Sequence, residues 1–171
     1  MHLPSCGGGV CCFWSSAMVA NNKITGNQAQ MGGGIHIEGD GSVTVANNTI
    51  TGNGPGPWNG FGAVSCFSGS ATIVNNIVAF NLPGALCLWH ELPTLRNNCM
   101  FGNSGYDYVG TLDPNGNIYA DPLFVDYAAG DLHIRFDSPC LNAGDNSAVQ
   151  PGWVDLDGEQ RVAAGVVDIA A

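Results

Sequence analysis

Cationic side chains are nearly missing from this sequence. Lys23, Arg96, Arg135 and Arg161 are the only four in 171 residues, against 14 carboxylates, and the formal net charge is -10. That balance excludes nucleic acid as a partner, because its binding rests on cationic contacts to phosphate. It also disfavours a polyanionic glycan such as pectate or alginate, unless a metal bridges the charges. No stretch of about 18 consecutive apolar residues occurs, so neither a spanning helix nor a membrane partner is expected. The opening MHLPSCGGGVCCFW lacks a cationic n-region and is broken by glycines. It reads as a poor signal peptide and as a chain that starts inside a repeat. No CxxC is present among the seven cysteines, and an odd number leaves at least one unpaired in a monomer. Buried thiols acting as small hydrophobes fit this usage, with a disulfide as the alternative.

Asparagine is abundant and periodic. NNKITGN at Asn21 returns as NNTITGN at Asn47, NNIVAFN at Asn75 and NNCMFGN at Asn97. A glycine-led segment keeps step with it, beginning at Gly7, Gly32, Gly60 and Gly84. Self-similarity at this period marks a solenoid. Period-two alternation decides the element type. Ile35 and Ile37 face one way and His36 and Glu38 the other, while Val43 and Val45 flank Thr44. Each repeat therefore reads as three short strands that wind into a parallel β-coil. The rungs fall at about 7–31, 32–59, 60–83 and 84–110, followed by a closing segment at 111–171.

Stacking puts equivalent residues about 4.8 Å apart. An asparagine amide donates and accepts, so identical asparagines bond along a stack. Asn22, Asn48, Asn76 and Asn98 are expected to form one ladder, and Asn27, Asn53, Asn81 and Asn103 a second. Aligned first strands give inward columns Val10/Ile35/Val64/Leu86 and Cys12/Ile37/Cys66/Leu88. The outward columns are Cys11/His36/Ser65/Cys87 and Phe13/Glu38/Phe67/Trp89.

These segments resemble the right-handed parallel β-helix proteins of the pectin-lyase-like superfamily. The tail DPLFVDYAAGDLHIRFDSPCLNAGDN from Asp121, followed by DLDGEQR from Asp155, is similar to the closing segment of secreted bacterial β-helix proteins. The resemblance implies an all-β, single-stranded right-handed β-helix of about four to five rungs with a C-terminal cap. It also implies an extracellular or cell-surface location. An uncapped first rung predicts self-association at that end.

The outward aromatics Phe13, Phe67 and Trp89, with Trp14 and Trp58 near by, suit the apolar faces of sugar rings. Cover by the turn at 54–59 or by the tail is the other reading of the same rings. Only Glu38, Asp40 and Glu91 among the acids precede residue 107, and all three fall on this face. Asp40 and Glu91 are expected two rungs apart, about 9.6 Å between backbones, near the carboxyl separation of inverting glycosidases. Glu38, Asp40 and Glu91 are thus the candidate acid and base. Phe13, His36, Phe67, Trp89 and His90 are the candidate substrate contacts. Solvated turn carboxylates are the plainer reading of the acids. A metal site of Cys11, His36 and Cys87 fails, since three rungs separate its ends by about 14 Å.

The function expected is action on a neutral polysaccharide, with glycoside hydrolysis favoured over lyase chemistry. The lyases that this sequence resembles use an arginine base and clustered aspartates, and Arg96 lies on another strand. A non-catalytic carbohydrate-binding or adhesion module is the competing class. An ice-binding face would need a threonine row, which Ala79 and Phe101 break after Thr25 and Thr51. No cofactor is expected. Asp155-Leu156-Asp157-Gly158 resembles part of a Ca²⁺ loop without its further carboxylate, so a side-chain-stabilised turn is the first reading there and Ca²⁺ the second.

Overall fold

The computed structural model describes residues 6–56, 60–67, 70–89, 93–109, 115–162 and 165–170. The chain winds through three parallel sheets, visiting each once per turn. Val10–Phe13, Ile35–Glu38, Val64–Phe67, Gly84–Leu88 and Tyr106–Val109 stack as the first sheet. Met18–Ala20, Thr44–Ala46, Thr72–Val74 and Thr94–Arg96 form the second. Lys23–Thr25, Thr49–Thr51, Ile77–Ala79 and Cys99–Phe101 form the third. Four stacked strands advance the coil by three turns. The solenoid proper thus completes about three turns between its first and fourth stacked strands, and the first sheet gains a fifth strand among the described residues.

The register follows from the alternation. Val10 pairs with Ile35, Ile35 with Val64 and Val64 with Leu86, so this column runs inward without a slip. A slip of one residue would turn every side chain to the other face. Ile35, Ile37, Val45, Ile50, Val64, Ile73, Val78 and Leu86 are all 0% exposed and form the axis of the core.

The paired asparagines divide two tasks. The first of each pair, at Asn21, Asn47, Asn75 and Asn97, takes the left-handed turn at φ 57°, 55°, 56° and 51°. Asparagine tolerates that conformation better than other residues with a Cβ. The second builds the ladder. Asn76 Nδ2 donates to Asn98 Oδ1 at 2.9 Å, and Asn48 Nδ2 donates to Asn76 Oδ1 at 2.9 Å. Asn53 and Asn81 repeat the pattern at 3.2 Å on the next corner.

The glycine-led turns stack because nothing larger fits. A Cβ on Gly33 would sit 2.4 Å from the Gly54 carbonyl oxygen, and one on Gly8 would sit 2.3 Å from that of Gly33. Gly33→Val is therefore expected to prevent native coiling, read as loss of the cooperative melting transition by circular dichroism. An unchanged melting curve would contradict the stacking account.

The tail departs from the expected cap. Residues 115–120 do close the last coil: Asn97 N donates to Asn115 O at 3.0 Å and Met100 N to Ile118 O at 2.9 Å. Beyond them the chain turns back and straps the flank. Phe80 of the third coil lies 4.7 Å from the Tyr127 ring. Thr51 of the second coil donates to Tyr127 OH at 3.2 Å, and Lys23 Nζ of the first donates to Gly130 O at 2.7 Å. Arg96 Nε and Asp145 Oδ2 meet at 2.8 Å on the neighbouring corner. The strap explains Ile77–Ala79, where all three residues are buried. Val78 faces the core, while Ile77 and Ala79 face outward and pack with Cys140 and Ile169 of the tail. Two-sided burial favours a continuous apolar run over alternation.

An exposed ion network fastens the tail to itself. His133 Nε2 contacts Asp157 Oδ2 at 2.7 Å, and His133 Nδ1 contacts Asp131. Hydrogen bonds to Asp131 and then Asp157 raise His133 above its ordinary 6.5, and the bond from His133 lowers Asp131 below 3.8. The raised histidine contributes fully below about pH 6.5 and loses its contribution as pH climbs through the folded value. The depressed carboxylate contributes above about pH 3.8 and loses its contribution as pH falls. Amide protection of Asp131–Ile134 is therefore expected to peak between these limits and to fall on both sides. Protection that stays flat both below about pH 3.8 and above about pH 6.5 in hydrogen exchange would refute the network's role.

Candidate functional site

The outer face of the first sheet gathers the aromatic side chains. Register places Phe13 beside Glu38 and Glu38 beside Phe67 on three successive strands. A carboxylate thus lies between two rings, with about 9.6 Å from Phe13 to Phe67 along the stack. Trp89 follows one position beyond the strand Gly84–Leu88 and is anchored by its backbone N–H to Cys66 O at 3.0 Å.

Not all the rings face solvent. Phe13 is 56% exposed, Trp14 63% and Trp89 48%, whereas Phe67 is half-buried. Phe61 joins Phe67 and Trp89 with centroid separations of 6.4 and 5.9 Å, and Phe67 stands 6.0 Å from Trp89. This cluster lies over the column beneath it. His36 and Ser65 are 0% exposed and Cys87 is 3% exposed, although alternation turns them away from the core. The face therefore combines the two readings of its aromatics. Phe61 and Phe67 cover, and Phe13, Trp14 and Trp89 present apolar surface.

Under that cover runs a hydrogen-bonded chain. Ser65 Oγ lies 2.7 Å from His36 Nδ1, and His36 Nε2 lies 3.1 Å from Glu38 Oε2. A carboxylate only accepts, so Nε2 donates to Glu38, and Nδ1 shares a hydrogen bond with the Ser65 hydroxyl. The Phe67 ring packs edge-on against the imidazole at 5.4 Å and 88°. His36 is thereby fixed on three sides and fixes Glu38, whose side chain stays 42% exposed.

The expected site residues divide accordingly. Phe13, Glu38, Phe67 and Trp89 share one face. His36 is a support under Glu38, because burial leaves it no surface for a ligand. Asp40 is exposed on the turn after Ile35–Glu38. His90, Glu91 and Trp58 lie outside the described residues. Phe61 and Ser65 were not among the expected residues. Ser65 stood in the His36 column, and two polar residues adjacent in an outward column were the available signal.

The Asp155 loop resolves as a turn. Asp155 Oδ1 accepts from the backbone N–H groups of Asp157 at 2.9 Å and Glu159 at 2.8 Å. Among the described residues no cluster of three or more His, Cys, Asp or Glu side chains has metal-binding geometry.

A family model described as a right handed beta helix region matches residues 5–120 of the chain. The chain matches no curated protein and no solved structure.

Proposed function

The chain belongs to the right-handed β-helix family, and from that fold and the face built on its first sheet we propose that it binds a neutral polysaccharide at the cell surface or outside the cell. The observation that carries this reading is Glu38 held between Phe13 and Phe67, with Trp89 on the same face. Exposed rings stack on the apolar faces of pyranoses, and a fixed carboxylate accepts from sugar hydroxyls. The acidic surface of the chain suits an uncharged glycan better than a uronate.

Hydrolysis of the bound glycan is the second reading. It is favoured by the Ser65–His36–Glu38 chain, which orients one carboxylate as an acid–base group requires. Asp40 and Glu91 supply the candidate partner carboxylates.

One experiment separates these readings. The protein is incubated with insoluble xylan, mannan and cellulose and, in parallel, with pectate and alginate, and bound protein, new reducing ends and unsaturated uronate absorbance are measured together. Retention without products supports binding alone. Reducing ends without unsaturation add hydrolysis. Unsaturated products would mean lyase chemistry on an acidic glycan and overturn the charge argument. Absence of both retention and products would overturn the proposal.

A further inference from the structure

Cys6 and Cys11 differ from the other five cysteines. Cys12, Cys66, Cys87, Cys99 and Cys140 are buried, whereas Cys6 is half-buried and Cys11 exposed. The residues between the two are Gly7-Gly8-Gly9-Val10. Gly7 takes φ +61°, and a Cβ there would lie 2.3 Å from Val10 O and 2.6 Å from Cys11 Cβ. Only glycine permits a turn this tight, and the turn folds Cys6 back onto Cys11. Their sulfurs lie 3.2 Å apart. Cys6 is held there by its bridge to Met31, and Cys11 by its register with His36.

We propose that Cys6 and Cys11 form a disulfide when the chain meets a low-molecular-weight disulfide such as oxidised glutathione. One thiolate attacks that disulfide, expels one of its sulfurs as a thiol and forms a mixed disulfide. The second cysteine then displaces the remaining sulfur, again as a thiol. The two cysteines lose two protons and two electrons, and the external disulfide takes up both. A disulfide spans about 2.05 Å, so the sulfurs close by about 1.2 Å, a distance within side-chain rotation. The bond ties the start of the first coil to Val10–Phe13, one of the two end strands of the first sheet and the one that carries Phe13. It covalently holds an end strand, which has a paired neighbour on one side only among the described residues.

The sparse cationic residues make the test direct. Cleavage after Lys23 yields a peptide of residues 1–23 that contains Cys6, Cys11 and Cys12 alone. The full chain is equilibrated with oxidised and reduced glutathione, then alkylated in denaturant without reduction, digested and weighed. The peptide is expected to carry a single alkyl group and to be two hydrogens lighter, and to carry three groups after prior reduction. Backbone fragmentation should yield no separated ions between Cys6 and Cys11 but should cut between Cys11 and Cys12. Cys12→Ala should keep the bond, and Cys6→Ser should abolish it. Three alkyl groups on the unreduced peptide, a lasting glutathione adduct, or a bond that survives Cys6→Ser would overturn the proposal. The fragmentation pattern is read on the unmodified chain, so the result stands even if a variant fails to fold.

Discussion

Asn76→Ala is expected to lower stability by about 3–5 kcal/mol, while Asn22→Ala, at the exposed end of the same ladder, costs about 1 kcal/mol or less. The asymmetry follows from burial. Asn76 is 0% exposed, and its amide donates to Val45 O at 2.9 Å, Val74 O at 2.9 Å and Asn98 Oδ1 at 2.9 Å. Its oxygen accepts from both the backbone and side-chain nitrogens of Asn48. Alanine would strand several buried groups, each worth about 1–3 kcal/mol when left unpaired. Some keep a second partner: Val74 O still accepts from Asn47 N at 3.1 Å, so the costs do not simply add. Asn22 donates to Ala20 O and Asn48 Oδ1 with water at hand. A domain stable by about 5–15 kcal/mol would lose much of its margin through Asn76 and little through Asn22. Urea denaturation of both variants gives the comparison, and equal midpoints would refute a stabilising ladder.

Glu38→Gln is expected to reduce affinity for a neutral glycan about tenfold to a hundredfold while leaving the fold intact. A hydrogen bond to a charged group is worth about 1.5–3 kcal/mol, and each 1.4 kcal/mol is tenfold in affinity. Glutamine keeps the shape, and its carbonyl oxygen still accepts from His36 Nε2, so the support beneath it survives. If the bound glycan is also cleaved, the rate should fall further, by about 10²–10⁴, because an amide neither gives nor takes the proton. Ser65→Ala tests the support separately. It removes the partner of His36 Nδ1 at 2.7 Å and leaves the Glu38 charge in place. A weakening smaller than that of Glu38→Gln is expected. Retention isotherms on the insoluble polysaccharide measure both, and full affinity in Glu38→Gln would remove Glu38 from the site.

The coil was legible because its signals are local and repeated. Alternation at Ile35–Glu38 and the asparagine pairs determine strand, corner and register together, and the columns read from alignment match the pairing found. The course of the tail was not legible. Its anchors, such as Lys23 to Gly130 and Asn75 to Asp145, join residues far apart in sequence and follow no period. The continuous apolar run Ile77–Ala79 did carry a trace of it, since a strand covered on one side alone would alternate. Which residues share the candidate face was legible for Phe13, Glu38, Phe67 and Trp89, and the depth of the face was not. Period two turns His36 and Ser65 outward, yet Phe61, just ahead of the strand that carries Ser65, buries them with Phe67 and Trp89. The Ser65–His36 bond depends on that cover and on side-chain orientation across two strands. Neither leaves a mark in one repeat.

The most direct test of the proposed sugar-binding face is an amide-resolved NMR titration with soluble oligosaccharides from xylan, mannan and cellulose. Binding on the first sheet predicts saturable shifts centred on Phe13, Glu38, Phe67 and Trp89, with the tail around Phe136 unmoved. Shifts confined to the tail or the third sheet, or none with any of the three sugars, would contradict it.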